Sequence, residues 1–229
     1  MGTFTHIAID GPVGSGKTTV ARELAQRLGV LYLDTGAMYR AVALSALRAG
    51  VDPTDEEAVL GLVRRQPVHV TLDRLAPLGF RVFGGTHEFG EELYGNDVSP
   101  VASLVAAHPG VRAEMVQRQR AIAREGPVVM AGRDIGTVVL PHAPLKIFLT
   151  ASVEARVQRR LAELQAQGVV VDGQTLHAQV VERDRLDATR PVAPLRPASD
   201  AVEIDSSDLT VEDVVERIVA LAPGLSRHR

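Results

Sequence analysis

Between Gly11 and Thr19 the chain reads GPVGSGKTT, three glycines leading to one lysine and two hydroxyl residues. The spacing satisfies G-x-x-x-x-G-K-[ST], in which backbone N–H groups wrap an anion and the lysine reaches the outer phosphates of a nucleotide. Gly11, Pro12, Val13, Gly14, Ser15, Gly16, Lys17, Thr18 and Thr19 are therefore expected to hold the phosphates of ATP. Lys17 would bridge the β- and γ-groups, and the Thr18 hydroxyl would ligate Mg²⁺. Lysine occurs elsewhere only at Lys146, whereas arginine is used throughout. Retaining lysine in the glycine loop suits a site that needs a compact ammonium rather than a planar fork.

Such a loop tells how a phosphate chain is held and not where its terminal group goes. A guanine reader of the Asn/Thr-Lys-x-Asp type is missing, because Lys146 lies in LKIFL, and no LSGGQ-like signature is present. That leaves a small phosphotransferase whose acceptor is bound by the rest of the chain, against the competing reading of a nucleotide-binding regulator that hydrolyses slowly.

Five polar clusters are candidates for the acceptor side. DTGAMYR places Asp34, Thr35 and Arg40 after an apolar run; Arg40 suits a bidentate grip on phosphate, and Asp34 either organises a water on the metal ion or caps a helix. AGRDIG brings Arg133 and Asp134 together between glycines, as a reader or as a surface ion pair. Ser103 and Arg112 fall on consecutive helical stretches. Arg183, Asp187 and Arg190 precede a proline-rich loop. Arg156, Arg159 and Arg160 share a helix face by their i, i+3, i+4 spacing. They form either an arginine lid over the transferring group or a solvated face paired with Glu163.

These clusters need a scaffold that brings strand ends together. His6–Asp10 reads as a buried strand running into the glycine loop, and Thr18–Leu28 as a helix stopped by Gly29. Val30–Leu33 is a second strand, followed by a helix ending near Gly50. Thr54 with Glu57 spells a capping box. Residues 68–73 and 80–83 alternate with period two and predict an antiparallel hairpin, which the glycine-rich stretch 84–97 continues. Helices are expected at Val101–Ala107, Val111–Arg124, Val153–Gln167 and about Thr175–Leu186. Further strands are expected at Val128–Ala131, Leu145–Leu149 and Val202–Ile204. Thr210 is the expected N-cap of the last helix, with a loose tail after Pro223. Five apolar strands separated by helices imply an α/β fold with a parallel sheet covered on both faces.

Composition adds exclusions. The 229 residues carry a net charge of −3, which offers no bulk attraction to nucleic acid, and no cysteine, which rules out disulfides and thiolate metal sites. With no leader pattern and no apolar stretch of membrane length, the expectation is a cytoplasmic monomer away from membranes.

The set GPVGSGKTT, LDTGAMYR, AGRD–GTVVLP–APLKIFLTAS, the ERD segment and RPVAPL resembles the bacterial cytidylate kinases, from about residue 6 to residue 206. The resemblance implies a P-loop kinase domain with a core at 1–66 and 98–229, an acceptor-side insertion at about 67–97 and a lid at about 152–172. It also implies transfer of the γ-phosphoryl of ATP to CMP or dCMP with Mg²⁺; the alternative is another small acceptor such as UMP, AMP, thymidylate or shikimate. Within it, Thr35 and Arg40 match positions that hold the acceptor, Thr35 where the family commonly has Ser. Ser103, Arg112, Arg133 and Asp134 match base and phosphate readers, and Arg183, Asp187 and Arg190 match ribose, phosphate and base contacts. Lys17, Arg133, Arg156, Arg160 and Arg190 are the expected charge-neutralising set. Thr18 departs from the Gly of many relatives. Residues 74–97 are not distinctive.

Overall fold

A computed structural model describes residues 6–221 except 74, 77, 96 and 167. Five strands form the main sheet in the order β2-β6-β1-β7-β8. They are β1 (Ile7–Asp10), β2 (Leu31–Asp34), β6 (Val128–Gly132), β7 (Leu145–Thr150) and β8 (Val202–Asp205). β1 is central and parallel to β6 and β7, with Asp10 level with Gly132 and Phe148. Its apolar residues are inaccessible to solvent because both faces of the sheet are covered, which is why the strand reads as an unbroken apolar run.

The helices are α1 (Lys17–Leu28), α2 (Thr35–Arg48), α3 (Glu56–Arg65), α4 (Val98–Val105), α5 (Pro109–Glu125), α6 (Val153–Ala166), α7 (Gly173–Thr189) and α8 (Val211–Leu221). A second, antiparallel sheet joins β3 (Val68–Leu72), β4 (Phe80–Gly84) and β5 (His87–Phe89). The hairpin expected from the alternating pattern is thus a three-stranded piece. Its last strand is too short for periodicity to mark, and a 3₁₀ turn follows at Glu91–Tyr94.

Two compact units partition the fold. One holds the described residues of Met1–Gly29 and Val129–Arg229, the other Val30–Val128. In the first unit, the lower part of α6 and α7 packs into its own small core of Val157, Leu164, Leu176 and Val180.

Local signals locate most helix ends. Thr210 caps α8 reciprocally, its Oγ accepting from Asp213 N at 3.1 Å while Asp213 Oδ2 accepts from Thr210 N at 2.9 Å. The capping box expected at Thr54 is replaced. Asp52 Oδ1 takes both the Thr54 N–H and hydroxyl, so Asp55 caps α3 instead, accepting from Ala58 N at 3.0 Å. The expected tail after Pro223 and the expected helix end at Gln167 lie outside the described residues.

Candidate active site

The glycine loop leaves β1 and closes on α1. Gly11, Gly14 and Gly16 all have positive φ, at 152°, 75° and 89°. A Cβ on Gly11 would stand 1.9 Å from Leu149 O, and one on Gly14 would stand 3.1 Å from the Arg156 Cβ, so backbone and neighbouring elements occupy the space side chains would need. Gly16 is the N-cap of α1 and makes no side-chain cap bond, so no capping side chain stands between the helix start and an anion. Lys17 is buried, with Nζ donating to Pro12 O at 2.5 Å and to Ser15 Oγ at 3.3 Å. Thr18 is exposed on the first helical turn.

Beside the loop, Asp10 ends β1 with its carboxylate buried. Its two oxygens accept from Ile135 N and Gly136 N, each at 2.7 Å. Burial raises its pKa to about 6, opposed by the two backbone bonds and by Lys17 and reinforced by the neighbouring charge of Asp134.

Arg133 and Asp134 follow β6, and Ile135–Val139 then forms one π-helical turn, a local form that recurs at functional sites. Arg133 Nε donates to Asp187 Oδ2 at 2.8 Å, Arg183 Nε lies 3.6 Å from the same oxygen, and Arg190 NH2 lies 3.6 Å from Asp134 Oδ1. Burial pushes the Asp187 carboxyl up, but the charges of Arg133 and Arg183, the Arg133 bond and then Arg190 outweigh it, so its pKa lies below the ordinary value. α7 runs to Thr189, so the helix itself carries Arg183 and Asp187 to one place, and Arg190 is its C-cap. Ala193 has φ 52°, in the left-handed region; its carbonyl accepts from Arg190 Nε at 2.6 Å.

The three arginines of α6 part company. Arg156 is buried, donating to Ala151 O and Val13 O and pairing with Asp184 at 2.6 Å. Arg159 donates to Ser206 Oγ at 3.1 Å and to Ser206 O, while Ser206 Oγ reaches Ser15 O in the glycine loop at 3.1 Å. Arg160 pairs with Glu163 at 2.9 Å. Helical spacing puts them on one face but does not reveal what lies beneath it.

In the other unit, Thr35 is buried at the start of α2. Asp34 caps that helix, accepting from Gly36 N at 2.9 Å, and stands 3.7 Å from Arg40 NH1. The Arg40 guanidinium also lies 4.9 Å from the Tyr94 ring centroid, and buried Arg112 lies 5.6 Å from that of Tyr39. Arg112 donates to Ala106 O at 3.2 Å. Ser103 donates back to Ser99 O within α4. Tyr94 comes from the segment whose sequence was indistinct.

Sequence reasoning overlooked Asp10, Asp184, Ala193, Tyr94 and Ser206. An acidic residue closing a fully apolar strand is the one signal that pointed to any of them.

A family model described as cytidylate kinase matches residues 7–223. The chain belongs to the cytidylate kinase family. It is 52% identical over 220 residues to a cytidylate kinase of Pelotomaculum thermopropionicum, covering 96% of each chain. It is also 51% identical to one of Geobacillus kaustophilus, covering 94% of this chain and 95% of that one. Among solved structures, a shikimate kinase from Bacteroides thetaiotaomicron shares the fold at a TM-score of 0.50 and 13% identity, covering 96% of this chain and 99% of that one. Like other cytidylate kinases, the chain is thus a phosphotransferase of P-loop fold. Among the described residues, no helix is long and apolar enough to cross a membrane.

Proposed function

We propose that the protein transfers the γ-phosphoryl of ATP to CMP or dCMP, giving ADP and CDP or dCDP. The observation that carries this reading is the gathering of Arg133, Arg183 and Arg190 around Asp134 and Asp187 in the unit that holds the phosphate loop. Three guanidinium charges against two carboxylates leave a net positive site for a nucleoside monophosphate, with carboxylates still present to accept from sugar hydroxyls and a base amino group.

The acceptor oxygen is a phosphate anion at neutral pH, so the reaction needs no general base. The chain's task is alignment and charge neutralisation. Lys17 and the glycine-loop amides hold the donor. Arg133 and Arg190, with Arg156 and Arg160 on a lid, neutralise the charge that spreads over the transferring group. Arg183 and Asp187 in the phosphate-loop unit, and Thr35, Arg40, Ser103 and Arg112 in the other, are the further residues we propose for acceptor binding.

Thr18, exposed beside a cradle that a Cβ would fill, fits the role of Mg²⁺ ligand, and Asp34 in the other unit is the further residue that would bind it, by way of water. When bound, Mg²⁺ would supply further neutralisation of the phosphate charge of the donor.

Asp134 reads cytosine. The N4 amino group donates to a carboxylate, whereas the carbonyl of uracil at that position is repelled. We place the enzyme in the cytoplasm as a monomer.

Coupled ADP release measured against CMP, dCMP, UMP, AMP and shikimate tests the proposal. CMP and dCMP are expected to be the best acceptors, and any other ranking refutes it.

A further inference from the structure

The π-helical turn at Ile135–Val139 opens with two N–H groups that need acceptors, and Asp134 at its N-cap position makes no side-chain cap bond to it. An aspartate at a turn start ordinarily turns back onto the following N–H groups. Here Asp10 does that work from 125 residues away, taking Ile135 N and Gly136 N on separate oxygens at 2.7 Å. A Cβ on Gly136 would make an ordinary contact with Asp10 Oδ2 at 3.4 Å and a tight one with the Lys146 Cδ at 3.2 Å. With the cap supplied by another strand, the Asp134 carboxylate stands 3.6 Å from Arg190 instead.

We propose that Asp10 is a positioning residue for acceptor recognition: its ionised carboxylate clamps the Ile135–Gly136 backbone and thereby presents Arg133 and Asp134 to the nucleoside monophosphate. This rests on the reading of Arg133 and Asp134 as acceptor contacts. The clamp joins the strand that feeds the donor loop to the loop that reads the acceptor, so β1 fixes both. The charged groups acting on Asp10 are Asp134 on the turn and Lys17 at the start of α1, while the stem of Lys146 from β7 lies against Gly136 with its amine held by Asp200 and Pro141 O. A carboxylate accepts from both N–H groups with two charged oxygens; a protonated acid leaves one of them a hydroxyl, a much weaker acceptor. The clamp is therefore complete above about pH 6 and weakened below it.

The test compares wild type, Asp10→Asn and Asp134→Ala, with KM measured for CMP and ATP separately. Asp10→Asn is expected to raise the KM for CMP about tenfold at about pH 8, with the KM for ATP within about twofold. The ratio of its CMP KM to that of wild type should fall toward one as pH is lowered to about 5.5, since both proteins then lack the charge. Titration of the CMP phosphate cancels in that ratio. A parallel rise in both KM values, an unchanged CMP KM beside a raised one in Asp134→Ala, or a pH-independent ratio overturns the clamp. An unchanged CMP KM in Asp134→Ala refutes the underlying reading, and the inference with it. Should Asp10→Asn not fold, wild-type affinity for cytidine 5′-sulfate, whose ester does not titrate, decides. It should weaken about tenfold with a midpoint near pH 6, and a flat profile overturns the clamp.

Discussion

Gly11→Ala tests whether the loop's shape is imposed by close backbone approach. The Cβ of alanine would be 1.9 Å from Leu149 O, and real Cβ contacts essentially never fall below 3.0 Å, so loop and strand must part by about 1.1 Å. β7 cannot supply that movement cheaply. It is paired to β1 on one side and to β8 on the other, with Leu149 level with Ile204. Shifting it weakens ladder bonds of about 0.5–1.5 kcal/mol each. The loop must yield instead, and with it the N–H groups aimed at the donor phosphates. A misplacement of about 1 Å costs on the order of 10²-fold in rate. The stability loss should be about 2–3 kcal/mol, which for a chain of this size is roughly 5–10 °C in Tm.

Gly29→Ala is the control. Gly29 also has positive φ, at 67°, but nothing lies within 4 Å of its Cβ position. Only the left-handed backbone penalty of about 1 kcal/mol applies there. The assay is coupled ADP release with ATP varied at saturating CMP, beside thermal unfolding of both variants. Gly11→Ala should lose about a hundredfold in kcat/KM for ATP while Gly29→Ala keeps the wild-type value. A Gly11→Ala enzyme within about threefold of wild type would refute the reasoning, because the loop would then tolerate a displacement that phosphate positioning forbids.

Lys17→Ala should lose most of kcat with ATP, and near-normal turnover would remove the loop from catalysis. Asp134→Asn should raise the KM for CMP and narrow the CMP/UMP ratio; an unchanged ratio in the same acceptor panel sinks the assignment of the base reader. Asp187→Asn should destabilise by about 2 kcal/mol in urea unfolding near neutral pH, because Arg133 and Arg183 lose a shared buried partner. Since the Asp187 pKa is depressed, that difference is present above the unfolded carboxylate value of about 3.9 and disappears as pH falls below it. Asp10, with a raised pKa of about 6, acts oppositely: its contribution is full below about 3.9 and is lost as pH rises through 6. Asp10→Asn should therefore flatten the decline of stability over that window in the same unfolding series.

The parts legible in the sequence are those set by near neighbours. The glycine loop, the apolar runs and the Thr210 cap each depend on residues within one turn or one strand. The cap of α3 escapes the pattern because Asp52 takes both donors of Thr54, which leaves the helix start to Asp55. α5 begins at Pro109, and its fixed φ gives a start signal that the apolar pattern from Val111 passed over. Arg156 was grouped with Arg159 and Arg160 by spacing alone; only the fold reveals that its stem packs against Gly14 while its head reaches Val13 O and Asp184. The Asp10 clamp spans 125 residues, and no local pattern encodes it.

Near-exclusive use of arginine acquires a physical sense from the geometry. The guanidinium groups of Arg133, Arg156 and Arg190 each meet carboxylate oxygens or carbonyls in fixed directions, which a planar fork does well and a point charge does poorly. Holding them beforehand lowers the ordering cost when an anion binds, so binding energy goes to alignment rather than to gathering loose side chains. The two lysines sit where that logic reverses. Lys17 and Lys146 are both buried and both donate to a proline carbonyl five residues earlier. Lys146 is further neutralised by both oxygens of Asp200, and its stem lies against Gly136. Lys17 donates to Pro12 O and Ser15 Oγ, both inside the glycine loop. That place inside the loop, at the start of α1, is why we propose Lys17 rather than Lys146 for the donor phosphates.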